Sequence, residues 1–352
     1  MPRVSRSLQI REFLVRNVAG HPHDLVDFAA TAFGITRQAV RRHVQILVAE
    51  NSLAMFGTKR AARYELVAQK HETWLELSSH REEDTIFDQY VLPHLQGLPP
   101  NVERICYHGF TEICNNAIDH SAGVRLYLQV LRTAKETTLV VWDDGIGIFR
   151  KIQEALGLAT QRAAIIELAK GKFTTDPAHH TGQGIFFTAR MFDTFSIFSG
   201  DLFFSHAGME GDWLLETRAD RKGTYVEMTI DAQSKRTAKE VFDRFSSTDG
   251  DYSFSKTHVP LSLAQHEGGI LISRSQAKRV LARFEDFAEV FLDFKGVDSI
   301  GQAFADEIFR VFRQHHPDIK LVWANANAEV AQMIKRALAQ ETATGQSSLF
   351  PP

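Results

Sequence analysis

The sequence predicts a multidomain α+β protein, and three observations carry that expectation. At 352 residues the chain exceeds what one hydrophobic core usually organises. The spacing of its apolar residues changes character twice: helical periods come first, then helices mixed with alternating runs, then a regular strand–helix alternation. Before the last of these lies the best linker signal in the chain, Ser246-Ser247-Thr248-Asp249-Gly250-Asp251, within a polar stretch over 233–258. Hydrophobic residues make up 44% of the chain and include 26 Phe, ample for several cores. No run of eighteen apolar residues occurs, so neither a membrane span nor a membrane partner is expected. The first residues carry Arg3, Arg6 and Arg11 but no secretory signal pattern. The two cysteines, Cys106 and Cys114, have neither zinc-site nor redox spacing and read as buried thiols in a reducing, cytoplasmic setting.

Residues 1–67 hold a net charge of +5, whereas the remainder holds −8. A basic end on an acidic body points to a polyanionic partner. Residues 4–18 have helical spacing, with Leu8, Phe13, Leu14 and Val18 apolar. Asp24 is placed to cap a second helix ending near Ala32, and Thr36 a third running from Arg37 to Glu50. On the third, Val40, Val44, Leu47 and Val48 face inward, while Arg37, Gln38, Arg41, Arg42 and Gln45 face out. Residues 53–56 and 64–67 read as two strands around Gly57-Thr58-Lys59-Arg60. Residues 68–79 are expected to be a connecting helix, followed by another with Ile86, Phe87, Tyr90, Val91 and Leu95 on one face.

Gly97-Leu98-Pro99-Pro100 ends that segment, and Asn101 is placed to cap the next helix. On it Cys106, Phe110, Ile113 and Ala117 form a buried face. Glu112 and Asn116 lie one turn apart on another, with Asp119 and His120 a turn further on. A carboxamide oxygen can ligate a hard cation, and a neighbouring carboxylate can deprotonate a nucleophile. A strand, residues 139–142, runs into Asp143-Asp144-Gly145-Ile146-Gly147-Ile148. A helical piece over 151–170 precedes Thr181-Gly182-Gln183-Gly184-Ile185, and an antiparallel meander over 195–231 includes Lys222-Gly223-Thr224. Beyond the linker the expected strands are Gly269–Ile272, Val290–Phe294 and Ile319–Trp323. The helices are Gln276–Phe287, Ile300–Gln314 and Ala328–Ala339, with a disordered tail over 343–352.

Three resemblances follow from these motifs. Three helices and a basic hairpin over 1–67 resemble a winged helix-turn-helix. That implies double-stranded DNA binding through Arg37, Gln38, Arg41 and Arg42 on the third helix and Lys59 and Arg60 on the wing. Glu112 with Asn116, Asp143 with Gly145 and Gly147, Gly182 with Gly184, and Thr224, in that order, resemble the GHKL superfamily. Residues 80–232 are thus identified as an α/β-sandwich, Bergerat-type ATP-binding domain. Leu292-Asp293-Phe294-Lys295-Gly296-Val297-Asp298-Ser299-Ile300-Gly301 resembles the strand–turn–helix of STAS domains, giving a small α/β unit over 259–342. Their phosphorylatable serine would fall near Gln302 or Ala303, so a phosphoserine switch is not expected here.

The GHKL resemblance implies ATP and Mg²⁺ as ligands. Asn116 would hold the metal and Asp143 the adenine amine. Thr224 would bond the adenine edge, and Asp119, Gly145, Gly147, Gly182 and Gly184 would complete the nucleotide site. Glu112 would be the catalytic base. Members of the superfamily that hydrolyse ATP and anti-sigma-type serine kinases both carry this glutamate. The leading expectation is an ATP-dependent transcriptional regulator in which hydrolysis drives a conformational switch. The alternatives are an anti-sigma-type protein serine/threonine kinase acting on a partner and a non-hydrolysing nucleotide sensor. A protein partner is expected at the STAS-like unit; the oligomeric state is left open, and a dimer is compatible.

Overall fold

The computed structural model describes residues 5–58, 61–77, 82–173, 182–208, 211–246, 254–265 and 269–346. Among these residues it is a multidomain α+β architecture with three sheets. The first unit packs α1 (Arg6–Asn17), α2 (Leu25–Phe33) and α3 (Arg37–Ala49) beside an antiparallel pair, β1 (Leu53–Phe56) and β2 (Arg63–Leu66). Gly34 ends α2 in the left-handed region, and the Thr36 hydroxyl accepts from Ala39 N to start α3. Leu14, Leu25, Val40, Val44 and Leu53 centre a core of the unit's own. Asp24 does not cap α2: its carboxylate is paired with His21 instead. Val48 lies at the edge of the α3 stripe and is exposed, not inward, because Val44 and Leu47 already fill the facing core.

Residues 69–76 correct the expectation of a connecting helix. They form β3 (Gln69–Glu76), paired antiparallel along its full length with β4 (Arg125–Arg132). The deciding pattern has period two: Lys70, Glu72, Trp74 and Glu76 point one way and Leu75 is buried on the other side. Helix α4 (Glu83–Tyr90) then leads to α5 (Pro100–His120), the longest helix of the central unit. Asn101 lies inside α5, not at its cap; its amide donates to Ser234 O and Arg236 O, pinning α5 to the segment after the sheet. The strands β4 and β5 (Glu136–Asp143) continue the sheet.

The helical piece over 151–170 is two helices, α6 (Ile148–Leu156) and α7 (Gln161–Lys170). Gly157 closes the first at φ +61°, and the Thr160 hydroxyl opens the second. Then come α8 (Gly184–Met191) and two long strands, β6 (Thr194–Ala207) and β7 (Gly211–Asp231). The meander expected over 195–231 is therefore one long pairing rather than several short strands, and Gly200-Asp201 and Lys222-Gly223 lie within it. They meet at a bulge inside this one β6–β7 pairing. The sheet order is β3-β4-β5-β7-β6, antiparallel throughout. One face packs on α5 and α8. The other carries a ring from every strand in one row: Trp74, Tyr127, Trp142, Tyr225 and Phe198.

The polar stretch after β7 contains α9 (Ala238–Phe245), started by a Thr237/Glu240 capping box and docked through Phe242 and Phe245 on Phe186 and Phe187. The linker residues 247–253 lie outside the described residues. The last unit begins earlier than expected, with β8 (Lys256–Pro260), followed by α10 (Arg274–Leu281) and β9 (Glu289–Asp293). Then α11 (Gln302–Asp306) passes through a π-helical turn, Glu307–Phe312, into α12 (Arg313–His315), ahead of β10 (Lys320–Ala324) and α13 (Ala328–Gln346). Its parallel sheet has the order β10-β9-β8. Gly269–Ile272 is not the first strand. Only Leu271 is buried there, Ile270 and Ile272 are exposed, and one bridge, Leu271 to Ile300, is all that forms. The expected tail is helical to Gln346, and 347–352 lie outside the described residues. Buried residues of the central and last units form one continuous cluster. Among the described residues, no helix is long and apolar enough to cross a membrane.

Candidate functional site

A cavity of about 270 Å³ opens between α5, the end of β5, the middle of β7, α6, and the start of α8. Glu112, Asn115, Asn116, His120 and Ser121 line it from α5 and its C-cap; Asp143, Gly147 and Thr224 line it from the sheet side; Gly182 and Gly184 close it opposite. Four stretches separated by up to about a hundred residues therefore converge on one cavity, because antiparallel pairing sets Thr224 and Val226 of β7 beside the C-terminal end of β5, facing the C-terminal half of α5.

Asp143 is 5% exposed at the end of β5. Its Oδ1 accepts from Gly145 N at 2.9 Å, and the backbone and hydroxyl of Thr224 also bond its carboxyl. Burial nevertheless raises its pKa above the ordinary carboxylate value, outweighing those three donors. The Thr224 hydroxyl accepts in turn from Ile148 N at 3.0 Å, so one side chain ties β7, β5 and the start of α6 together. Gly147 has φ +88°, and a Cβ there would also collide with Ser199 Oγ, so only glycine serves both demands.

On the facing helix, Asn116 Nδ2 donates to Glu112 O at 2.8 Å, which leaves Oδ1 as the end of the carboxamide suited to a cation. The Glu112 carboxylate lies against the first turn of α8, so close that a Cβ on Gly184 would run into it. A carboxylate at a helix N-terminus is electrostatically favoured.

Two residues expected at the site stand apart from it. Asp119 is exposed and does not line the cavity; its charge acts on the Lys151 ammonium instead. Gly145 also misses the lining. It packs on the Ser121 backbone, where any Cβ would clash, and acts by presenting its N–H to Asp143. Conversely, Lys151 lines the cavity unforeseen, its ammonium donating to His120 O at 2.8 Å and its pKa lowered by burial against the opposing pull of Asp119. Its position one turn beyond Gly147 was the available signal. Lys172 turns to Asp286 O, not into the cavity, and His179 and His180 lie outside the described residues.

In the first unit Gln38, Arg41 and Arg42 are exposed on α3, whereas Arg37 is held by Asp27 at 2.7 Å. Lys59 and Arg60 lie outside the described residues.

In the last unit, parallel β8, β9 and β10 alternate with helices. Residues 276–331 match the family model of a STAS-like domain of unknown function (DUF4325). No curated protein matches the chain. The STAS-like match runs from α10 into α13 and takes in the π-helical turn, where Asp306 is buried and paired with Arg310. Asp293, at the end of β9, is bonded by His258 of β8, outside the matched residues, and by Asn325 just after β10. Burial alone would raise that carboxyl; these bonds and one from Lys295 N override it and hold the pKa at about 2.

Proposed function

We propose that the central unit is a GHKL-type ATP-binding domain and that the chain is a cytoplasmic, ATP-dependent transcriptional regulator. In this reading residues 1–67 are a winged helix-turn-helix on double-stranded DNA and the STAS-like unit meets a protein partner. The observation that carries the nucleotide reading is the buried Asp143 facing Glu112 and Asn116 across one cavity. A buried carboxylate backed by Thr224 favours adenine, which offers an amine, over guanine, which offers a carbonyl.

The donor set fits Mg²⁺. Asn116 Oδ1 is a hard oxygen ligand on a fixed carboxamide, and Mg²⁺ takes one or two protein oxygens and completes its shell with phosphate and water. When bound, the ion would neutralise phosphate charge. The N-terminal amides of α8 suit phosphate oxygens, and Lys151 adds a cation. Glu112, held beside that helix start, is placed to take the proton of an attacking water.

Incubation with labelled ATP tests this reading. Free phosphate from the wild type and none from Glu112→Ala is the expected result; label on protein would mark a kinase, and no ATP binding would end the nucleotide reading.

A further inference from the structure

One wall of the cavity is made by Leu168, Gly171 and Phe173, and this wall is fastened to the STAS-like unit. Arg283 Nη2 donates to Lys172 O at 2.6 Å and to Gly171 O at 3.2 Å, while Nη1 meets Glu167 Oε2 at 3.3 Å. Its guanidinium also lies 5.8 Å from the centre of the Phe173 ring. Lys170, wholly buried, extends its ammonium to Ala282 O at 2.7 Å and to Glu167 at 2.6 Å. The Thr257 hydroxyl donates to Lys170 O at 2.7 Å. Every contact but the Glu167–Lys170 pair joins α7 or the residues just after it to the last unit. Arg283 achieves its grip from φ +63°, a conformation disfavoured for a side-chain-bearing residue, so the surrounding packing holds it there against strain.

We propose that Arg283 is a positioning residue for the nucleotide cavity, so that ATP occupancy and the seating of the STAS-like unit on α7 are energetically coupled. Its Nη2 holds two consecutive carbonyls, one on the wall and one beside it, and so keeps Gly171 and Phe173 where they line the cavity. Reciprocity then makes the STAS-like unit the regulatory input: a protein partner that draws α10 and Arg283 away weakens ATP by the same factor that ATP weakens that partner. This inference rests on the nucleotide reading.

The test uses the full chain, with Mg·ATP affinity measured by titration calorimetry and hydrogen exchange followed over 168–173 and 274–286. Wild type is compared with Arg283→Gln, Asp143→Asn and Lys278→Gln, the last an exposed cation on the preceding helix α10 and outside the clamp. Coupling of ordinary size predicts that Arg283→Gln weakens Mg·ATP roughly tenfold and Lys278→Gln leaves it unchanged. Mg·ATP should also slow exchange over 274–286 in the wild type and not in Arg283→Gln. If Arg283→Gln fails to fold, Thr257→Val, which removes one tether at constant shape, should weaken Mg·ATP roughly threefold, with the same loss of ligand-induced protection. Wild-type affinity in a folded Arg283→Gln or Thr257→Val, or unchanged exchange on adding ATP, overturns the coupling while Asp143→Asn still shows the nucleotide site to be real. No binding by the wild type itself overturns both.

Discussion

The units at the two ends of the chain are attached to the middle by different physics. The first keeps its core to itself; Arg16 reaches Asp231 at 2.9 Å with both side chains partly exposed, and Ala134 packs at the edge of the helical core. The STAS-like unit shares one continuous hydrophobic cluster with the central sheet and adds buried charges, Lys170 and Glu167, locked by backbone carbonyls and Arg283. An exposed pair is screened and worth little, whereas a buried charge stripped of its partner is expensive. The cavity is therefore wired more strongly to the STAS-like unit than to the unit proposed to meet DNA.

The largest expected effect probes that buried junction. Lys170→Ala should destabilise the joint central and STAS-like core by about 3–5 kcal/mol, because it leaves Glu167 buried with less compensation. Denaturant unfolding reads it; a loss no larger than that of a surface substitution would break the contrast. Next comes Gly184→Ala, whose methyl group would displace the Glu112 carboxylate. ATP turnover should fall by about 10²-fold or more, the usual contribution of a positioned base, with the melting temperature nearly kept. Turnover equal to wild type would detach Glu112 from catalysis.

A pH series gives two opposite signs. Asp143 has a folded pKa above its unfolded 3.8, so its ionisation costs stability as pH rises through that interval. Asp143→Asn should then melt no lower than wild type at pH 7, and any advantage should vanish below pH 4. Asp293, held at about 2, works the other way: its contribution is complete above about pH 4 and lost as pH falls toward 2. Asp293→Asn should lower the melting temperature at pH 7 and converge with wild type in acid. The smallest effect is expected at the other junction, where Arg16→Ala should cost less than about 1 kcal/mol.

How legible each region was follows from the kind of signal it carries. The first unit was readable because its stripe, the Thr36 cap and Gly34 are local features. The cavity was readable through glycines forced by close approach, as at Gly147 and Gly184. Residues whose placement depends on a distant partner escaped. β3 is a strand because β4 pairs with it, Asn101 bonds carbonyls more than a hundred residues away, and β8 precedes the expected domain start. Lys170 and Arg283 look like ordinary helix-end cations until the last unit folds onto α7.

The most direct measurement is the melting curve of the full chain with and without Mg·ATP. At about 100 times its dissociation constant a ligand stabilises by about 2.7 kcal/mol. The wild type should melt higher with Mg·ATP, and Asp143→Asn, folded to the same degree, should show almost none of the shift. A wild-type curve unmoved by millimolar Mg·ATP, or an Asp143→Asn curve that moves equally, would contradict the account.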